Sequence, residues 1–266
     1  MRKSLIISLL SIAIPFMAMA GSFLCESNGF PGHVQGITAD KTGIYWSFYD
    51  TIVKTDFKGK TIGTISIPKH AGDLCAANGK IYVSVVYYDK KMADDEGTTG
   101  WVYVYDSELK FIQKVAIPDT PRPDGITFLD GKFYIAGDDF GREPHPVNTI
   151  SVYDGDFKFE KKVTVDIEVP TQYGAQTLNA VDGKILAGFY AKRGMNSVFL
   201  EPKELKKVEL YKTSVDVGMA VVPAEIAKDR KIHIVARLHG KQNNWGSRAD
   251  VYEWKDGNLI PTDLEP

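Results

Sequence analysis

The residues best suited to chemistry recur at matching points along the chain. His33 and Gln35 open one short apolar segment, His70 and Asp73 the next, Asp124 a third and Gln176 a fourth. Histidine can shuttle a proton near neutral pH or ligate a metal. A carboxylate buried beside it needs a cation, a donor or water. Three chemistries suit this set. In the first, His33, His70, Asp73 and Asp124 hold a divalent metal. Mixed nitrogen and oxygen ligands suit zinc or manganese, and carboxylates with amide oxygens and water suit calcium. In the second, His33, His70 or His239 acts as general acid or base while Arg237 stabilises an anionic substrate or intermediate. In the third, Asp73, Asp124 or Asp138 supplies a carboxylate pair for hydrolysis. There is no HExxH, GxSxG, P-loop or GxGxxG. A serine nucleophile and a nucleotide cofactor are therefore not expected.

Each of these residues also has a plain reading. A single histidine at a strand end commonly caps a backbone carbonyl, and Asp124 before Gly125 is a natural turn residue. The functional reading rests on the group. Aromatic side chains fall at the same points: Trp46, Tyr49, Tyr87, Tyr88, Tyr190 and Trp245. Strand packing explains Trp46 and Tyr87. Rings with polar edges suit a sugar face, so Tyr88, Tyr190 and Trp245 join Gln35, Gln176 and Asp138 as candidate substrate contacts. The acidic run Met92 to Gly97 lacks the alternating ligand spacing of a calcium loop and reads as a solvated loop.

These residues are positioned by a pattern that recurs five times. Its openings are HVQGIT, HAGDLC, PDGITF, GAQTLN and VGMAVV, starting near residues 33, 70, 123, 174 and 217. Second strands follow as GIYWSF, GKIYVSVVY, GKFYIAG, GKILAGFY and KIHIVARL. They are rich in residues that fit a pleated surface. Asn78-Gly79, Asp130-Gly131 and Asp182-Gly183 join first to second strands and tolerate the positive φ of a two-residue hairpin. Four strands per unit and five units predict an all-β, five-bladed β-propeller, with a six-bladed ring as the alternative. Only Ala224 to Lys228 has helical character. In propellers the inner-strand starts and the second-to-third loops share one face. That face then collects His33, His70, His145 and His239, four of five histidines, leaving His233 in mid-strand. It also collects Asp139, Arg142, Lys192, Arg193, Asn243 and Arg248.

Arg2 and Lys3, the apolar run Leu5 to Met17 and the Ala18-Met19-Ala20 step read as a cleaved signal over residues 1–20. Residues 21–266 are then one propeller domain of an exported protein, periplasmic or extracellular. Loss of two basic residues takes the net charge from −2 to −4, which argues against a nucleic-acid partner. No later segment is apolar enough to span a bilayer. A monomer acting on a small molecule or glycan is expected. Cys25 and Cys75 can pair in such a compartment or remain buried thiols.

The openings HVQGIT, HAGDL and PDGIT, each followed by a Gly-initiated second strand, resemble secreted bacterial propellers of the NHL, gluconolactonase and glutamine cyclotransferase kind. The resemblance spans nearly all of the chain after residue 20, as blade pattern. Cyclotransferases are five-bladed and carry a TQG-like opening, to which Val34-Gln35-Gly36 is similar. Gluconolactonase-like enzymes hold a channel metal with Glu, Asn and Asp, where this chain has His, Gln, Asp and Gln. Five-bladed glycosidases use three channel carboxylates; Asp73 and Asp124 match two, and no Glu matches the third. The gathering of histidines and carboxylates with Arg237 at one face points to a hydrolase or lyase with a polar His/Asp/Gln pocket at the channel mouth, metal-assisted in one version. The alternative is a carbohydrate- or ligand-binding propeller without catalysis.

Overall fold

A computed structural model describes residues 21–68, 70–87, 99–137, 145–190, 197–241 and 244–263. A short leading strand, β1 (Ser22–Leu24), precedes the blades. Blade 1 is β2 (Val34–Asp40), β3 (Gly43–Phe48), β4 (Thr51–Thr55) and β5 (Thr61–Ser66). Blade 2 is β6 (Ala71–Ala77), β7 (Lys80–Val86), β8 (Gly100–Asp106) and β9 (Phe111–Ala116). Blade 3 is β10 (Pro123–Leu129), β11 (Lys132–Gly137), β12 (His145–Asp154) and the first part of β13 (Phe159–Val181). The second part of β13 is the inner strand of blade 4, followed by β14 (Lys184–Tyr190), β15 (Ser197–Leu200) and β16 (Lys207–Tyr211). Blade 5 is β17 (Met219–Val221), β18 (Ile232–Lys241), β19 (Asn244–Lys255) and β20 (Asn258–Pro261), with the short helix α1 (Ala224–Ala227) after β17. All pairings are antiparallel. The result is the all-β, five-bladed propeller of the repeat count, with no sixth blade among the described residues.

The hairpins form where the dipeptides require. Asn78, Asp130 and Asp182 have φ of 51°, 51° and 47°, each followed by a glycine at 69°, 79° and 74°. Such paired left-handed residues match the right-handed twist of the flanking strands. The middle strands lie between neighbouring blades and are apolar on both faces, so β3 is buried throughout. Five apolar clusters fill the seams, one between each adjacent pair of blades. Trp46 and Phe48 of blade 1 pack with Val217, Ile232 and Val251 of blade 5 in the seam that shuts the ring.

Two chain ends share that closure. β20 pairs with Tyr252–Lys255 of β19, while β1 pairs with Arg248–Asp250 of the same strand. The Gly21 N–H reaches the Thr262 carbonyl at 2.6 Å, and farther along Phe30 and Trp245 exchange backbone bonds at 3.1 and 3.2 Å. The lead is also fastened to blade 1: Glu26 N–H donates to the Gly59 carbonyl at 2.9 Å, and Glu26 accepts from the Thr61 N–H at 2.9 Å. Blade 5 thus supplies four strands of its own and still receives the leading segment as an additional edge. Cys25 and Cys75 are free and lie in different seams, which settles their pairing in favour of two buried thiols.

Candidate functional site

The inner strands do not run straight to the channel. Register breaks fall between Val34 and Gly36 in β2, Ala71 and Leu74 in β6, Pro123 and Ile126 in β10, and Gln172 and Thr177 in β13. Each break holds one polar residue of the sequence pattern: Gln35, Asp73, Asp124 and Gln176. A β-bulge leaves one residue unpaired and re-aims its side chain. Here it aims Asp73 at backbone amides of blades 3 and 4 and sets Asp124 against Gln176. Glycine beside the bulge admits them, because a Cβ on Gly36 would lie 2.3 Å from Asp73 Oδ1 and one on Gly72 2.8 Å from Asp124 Oδ1.

Asp73 is 1% exposed and reaches three other blades. Its Oδ2 accepts the Ile126 N–H of blade 3 at 3.2 Å and the Leu178 N–H of blade 4 at 3.0 Å, while Oδ1 abuts Gly36 of blade 1. Burial pushes its carboxyl well above the usual range; bonds from the Leu178, Leu74 and Ile126 amides pull the other way, and nearby Asp124 adds to the rise. Ser84 supports the same joint through bonds to the Asp73 and Asp124 carbonyls. Asp73 is therefore a clamp at the channel's centre, and its oxygens are engaged by backbone.

Above it lies the mouth. Gln176 Nε2 donates to Asp124 Oδ2 at 3.0 Å and to the Tyr173 carbonyl at 3.0 Å. Burial raises the Tyr190 hydroxyl far above its usual range, and the charges of Asp124 and Asp216 add to the rise, so this phenol is a donor and not an anion. The His33 ring meets Tyr190 edge-on at 6.1 Å and Trp245 at 6.0 Å. Its Nδ1 is 2.8 Å from the Val34 carbonyl, which assigns the proton to Nδ1 and leaves Nε2 as the acceptor. His70 packs edge-on against Tyr49 at 4.7 Å. Burial, then the charge of His33, lowers its pKa to about 4. Gln35 is 6% exposed, and its amide has no hydrogen-bond partner among the described residues.

Ring contacts and charges thus link His33 with His70, Tyr190 and Trp245, and Tyr190 with Asp124, which Gln176 holds, while Gln35 and Asp73 sit in the bulges of neighbouring inner strands. Arg237 is engaged by protein groups. Nε bonds Asp250 at 3.0 Å, Nη1 the Ser214 carbonyl at 2.7 Å and Nη2 the Tyr252 hydroxyl at 3.1 Å. These bonds clasp blade 5 to the segment that leads into it. His239 is exposed on β18, opposite Gly246 of β19. Tyr88 and Asp138, with Asp139, Arg142, Lys192, Arg193 and Asn243, lie outside the described residues, and so does the side chain of His145. Among the described residues no three His, Cys, Asp or Glu side chains stand close enough to share a metal ion.

Two mouth residues carried no signal in the repeat pattern. Asp216 precedes the last inner strand, and its carboxylate accepts from Ser214 at 2.6 Å. Tyr173 has a φ of 65° ahead of Gly174 at 75°. Backbone of this kind is costly for a side-chain-bearing residue and persists where surrounding structure demands it. Here it turns the Tyr173 carbonyl onto Gln176.

No protein-family model matches the sequence, and no curated protein does. Among solved structures, glutaminyl cyclase of Myxococcus xanthus aligns with a TM-score of 0.59 at 12% identity, covering 91% of this chain and 98% of that one. Hydrazine synthase of Kuenenia stuttgartiensis aligns at 0.46 and 15% identity over 89% and 70%. The Pan2 WD40 domain of Neurospora crassa aligns at 0.45 and 12% over 92% and 72%. At these identities the likeness is one of fold, and it agrees with the blade pattern: the chain is a five-bladed β-propeller with bacterial glutaminyl cyclase among its structural neighbours. Among the described residues no helix is long and apolar enough to cross a membrane.

Proposed function

We propose that the channel mouth is the site of an exported hydrolase or lyase acting on a small polar or carbohydrate-like molecule. The observation that carries this reading is the arrangement around His33. Its Nδ1 is fixed on the Val34 carbonyl and its faces are confined by Tyr190 and Trp245, so Nε2 is held as a proton acceptor at the rim. A general base needs that combination of free nitrogen and fixed ring. The Tyr190 hydroxyl and the Gln35 amide would serve as donors to an oxygen that gains charge. Asp124, oriented by Gln176, supplies a carboxylate for a substrate hydroxyl or amine. His70, neutral at pH 7, forms a wall of the pocket with Tyr49.

A second reading is binding without turnover, favoured by the same packing of His33 and His70 on aromatic rings. The Myxococcus neighbour is a glutaminyl cyclase, and Gln35 stands in the similar opening, so glutaminyl cyclisation belongs among the reactions assayed. The test is a panel of glycosides, lactones, uronate polymers and N-terminal glutamine peptides, with the full-length protein and its His33→Gln and Tyr190→Phe variants. Turnover that drops by about 100-fold in His33→Gln, with substrate affinity kept, supports the catalytic reading. Saturable binding without turnover by any variant supports the second reading. Turnover unaffected by either substitution removes the mouth as the active site.

A further inference from the structure

We propose that the molecule taken at the mouth carries a methylated ammonium group, received by the rings of His33, Tyr190 and Trp245 beside the carboxylates of Asp124 and Asp216. The proposal rests on the mouth as a binding site and names the chemical class of its occupant. All three rings are half-buried, so each keeps surface open to solvent. The His33 ring stands at 71° to Tyr190 and 79° to Trp245, with centroids 6.1 and 6.0 Å apart. Rings set so steeply wall a corner, whereas a sugar lies flat on one ring face. A rounded ammonium takes several ring faces at once, each attracting it within about 6 Å.

Fixed negative charge stands beside these rings. The charges that bear on the Tyr190 hydroxyl are those of Asp124 and Asp216. Gln176 orients Asp124 at 3.0 Å. Asp216 Oδ1 accepts from Ser214 at 2.6 Å, in a segment that is itself tied down. There the Ser214 carbonyl accepts from Arg237 at 2.7 Å, the Val215 carbonyl from Thr177 at 2.5 Å, and the Val215 N–H donates to Ser197 Oγ at 3.1 Å. Arg237 bonds Asp250, Ser214 and Tyr252, and none of its bonds goes to Asp124 or Asp216. On the far side Trp245 is fixed by its backbone exchange with Phe30. Rings beside preset carboxylates favour a cation over a neutral ligand. Methyl groups suit ring walls, whereas a primary ammonium brings three N–H donors that need acceptors.

The probe is choline, and the reporter is the Trp245 indole N–H in protein labelled with ¹⁵N-tryptophan. Trp46, Trp101 and Trp254 are the other tryptophans and serve as internal controls. The Trp245 resonance, assigned with Trp245→Phe, is expected to shift saturably with millimolar affinity, the scale for so small a ligand, while the controls stay in place. 3,3-Dimethylbutan-1-ol has the same shape without the charge and should bind about tenfold or more weakly; ethanolamine should also bind more weakly than choline. Asp216→Asn should lower choline affinity about fivefold and leave dimethylbutanol binding where it was. A Trp245 signal that choline leaves unmoved, equal affinity for choline and dimethylbutanol, or tighter binding of ethanolamine overturns the proposal. Choline binding without turnover in the substrate panel leaves this site standing, whereas turnover lost in His33→Gln with no choline binding leaves the catalytic reading standing and removes this one.

Discussion

Replacing Asp73 tests whether one buried carboxyl joins the blades. Asp73→Ala removes the acceptor of the Ile126 and Leu178 N–H groups, at 3.2 and 3.0 Å, and leaves both buried. An unsatisfied buried donor costs about 1–3 kcal/mol, so the pair amounts to about 2–6 kcal/mol. In a domain of this size each kcal/mol lowers Tm by about 2–4 °C. Asp73→Asn keeps a carbonyl oxygen for the same amides and should lose much less. The pH dependence has a definite sign. An ordinary unfolded Asp titrates near pH 4, and burial raises the folded value above that, with Asp124 and Cys75 as the neighbouring ionisable groups. Stability from the protonated form is therefore complete below about pH 4 and is lost as pH rises toward the folded pKa. Urea unfolding of wild type and Asp73→Asn from pH 4 to 8 should show the wild type losing ground to the variant as pH rises. Hydrogen exchange should show the Ile126 and Leu178 amides losing protection in Asp73→Ala. A wild-type advantage that grows with pH would mean that the amide bonds outweigh burial and would refute the reasoning.

His70 has the opposite sign: its folded pKa near 4 lies below the ordinary value of 6.5, so its contribution is present above pH 6.5 and lost as pH falls toward 4. His70→Phe should flatten that acid-side loss in urea midpoints at pH 7, 5 and 4, while the part owed to His233, also lowered to about 4, persists. Arg237→Met strips the partly buried Asp250 of one of its two arginine partners and should lower stability by about 1.5–3 kcal/mol in the same assay. Gly59→Ala places a Cβ 2.0 Å from the Leu24 carbonyl at a φ of 87°. It should cost about 1–3 kcal/mol and speed limited proteolysis within residues 21–30; an unchanged cleavage rate would show that the lead is not fastened there.

The sequence alone determined what is local and repeated. Asn78-Gly79, Asp130-Gly131 and Asp182-Gly183 dictate their hairpins because few other dipeptides accept two successive positive φ angles. The buried faces of β3 and its counterparts fix the strands, and five repeats of that pattern fix the blade number. The polar residue near each inner-strand start was also legible, since Gln35, Asp73, Asp124 and Gln176 recur at one point of the repeat. Their roles were not. Asp73 and Asp124 look alike in sequence, yet one is a clamp held by backbone amides and the other faces Gln176 at the mouth. That difference arises because bulges in separate blades bring Gly36, Ile126 and Leu178 onto one carboxyl across the axis. Arg237 looked like a free cation at the rim, but pairing of β18 with β19 sets Asp250 and Tyr252 within its reach. Propensity and turn chemistry act over a few residues and are written along the chain, whereas the partners of a buried polar group are chosen by which strands the closed ring brings face to face.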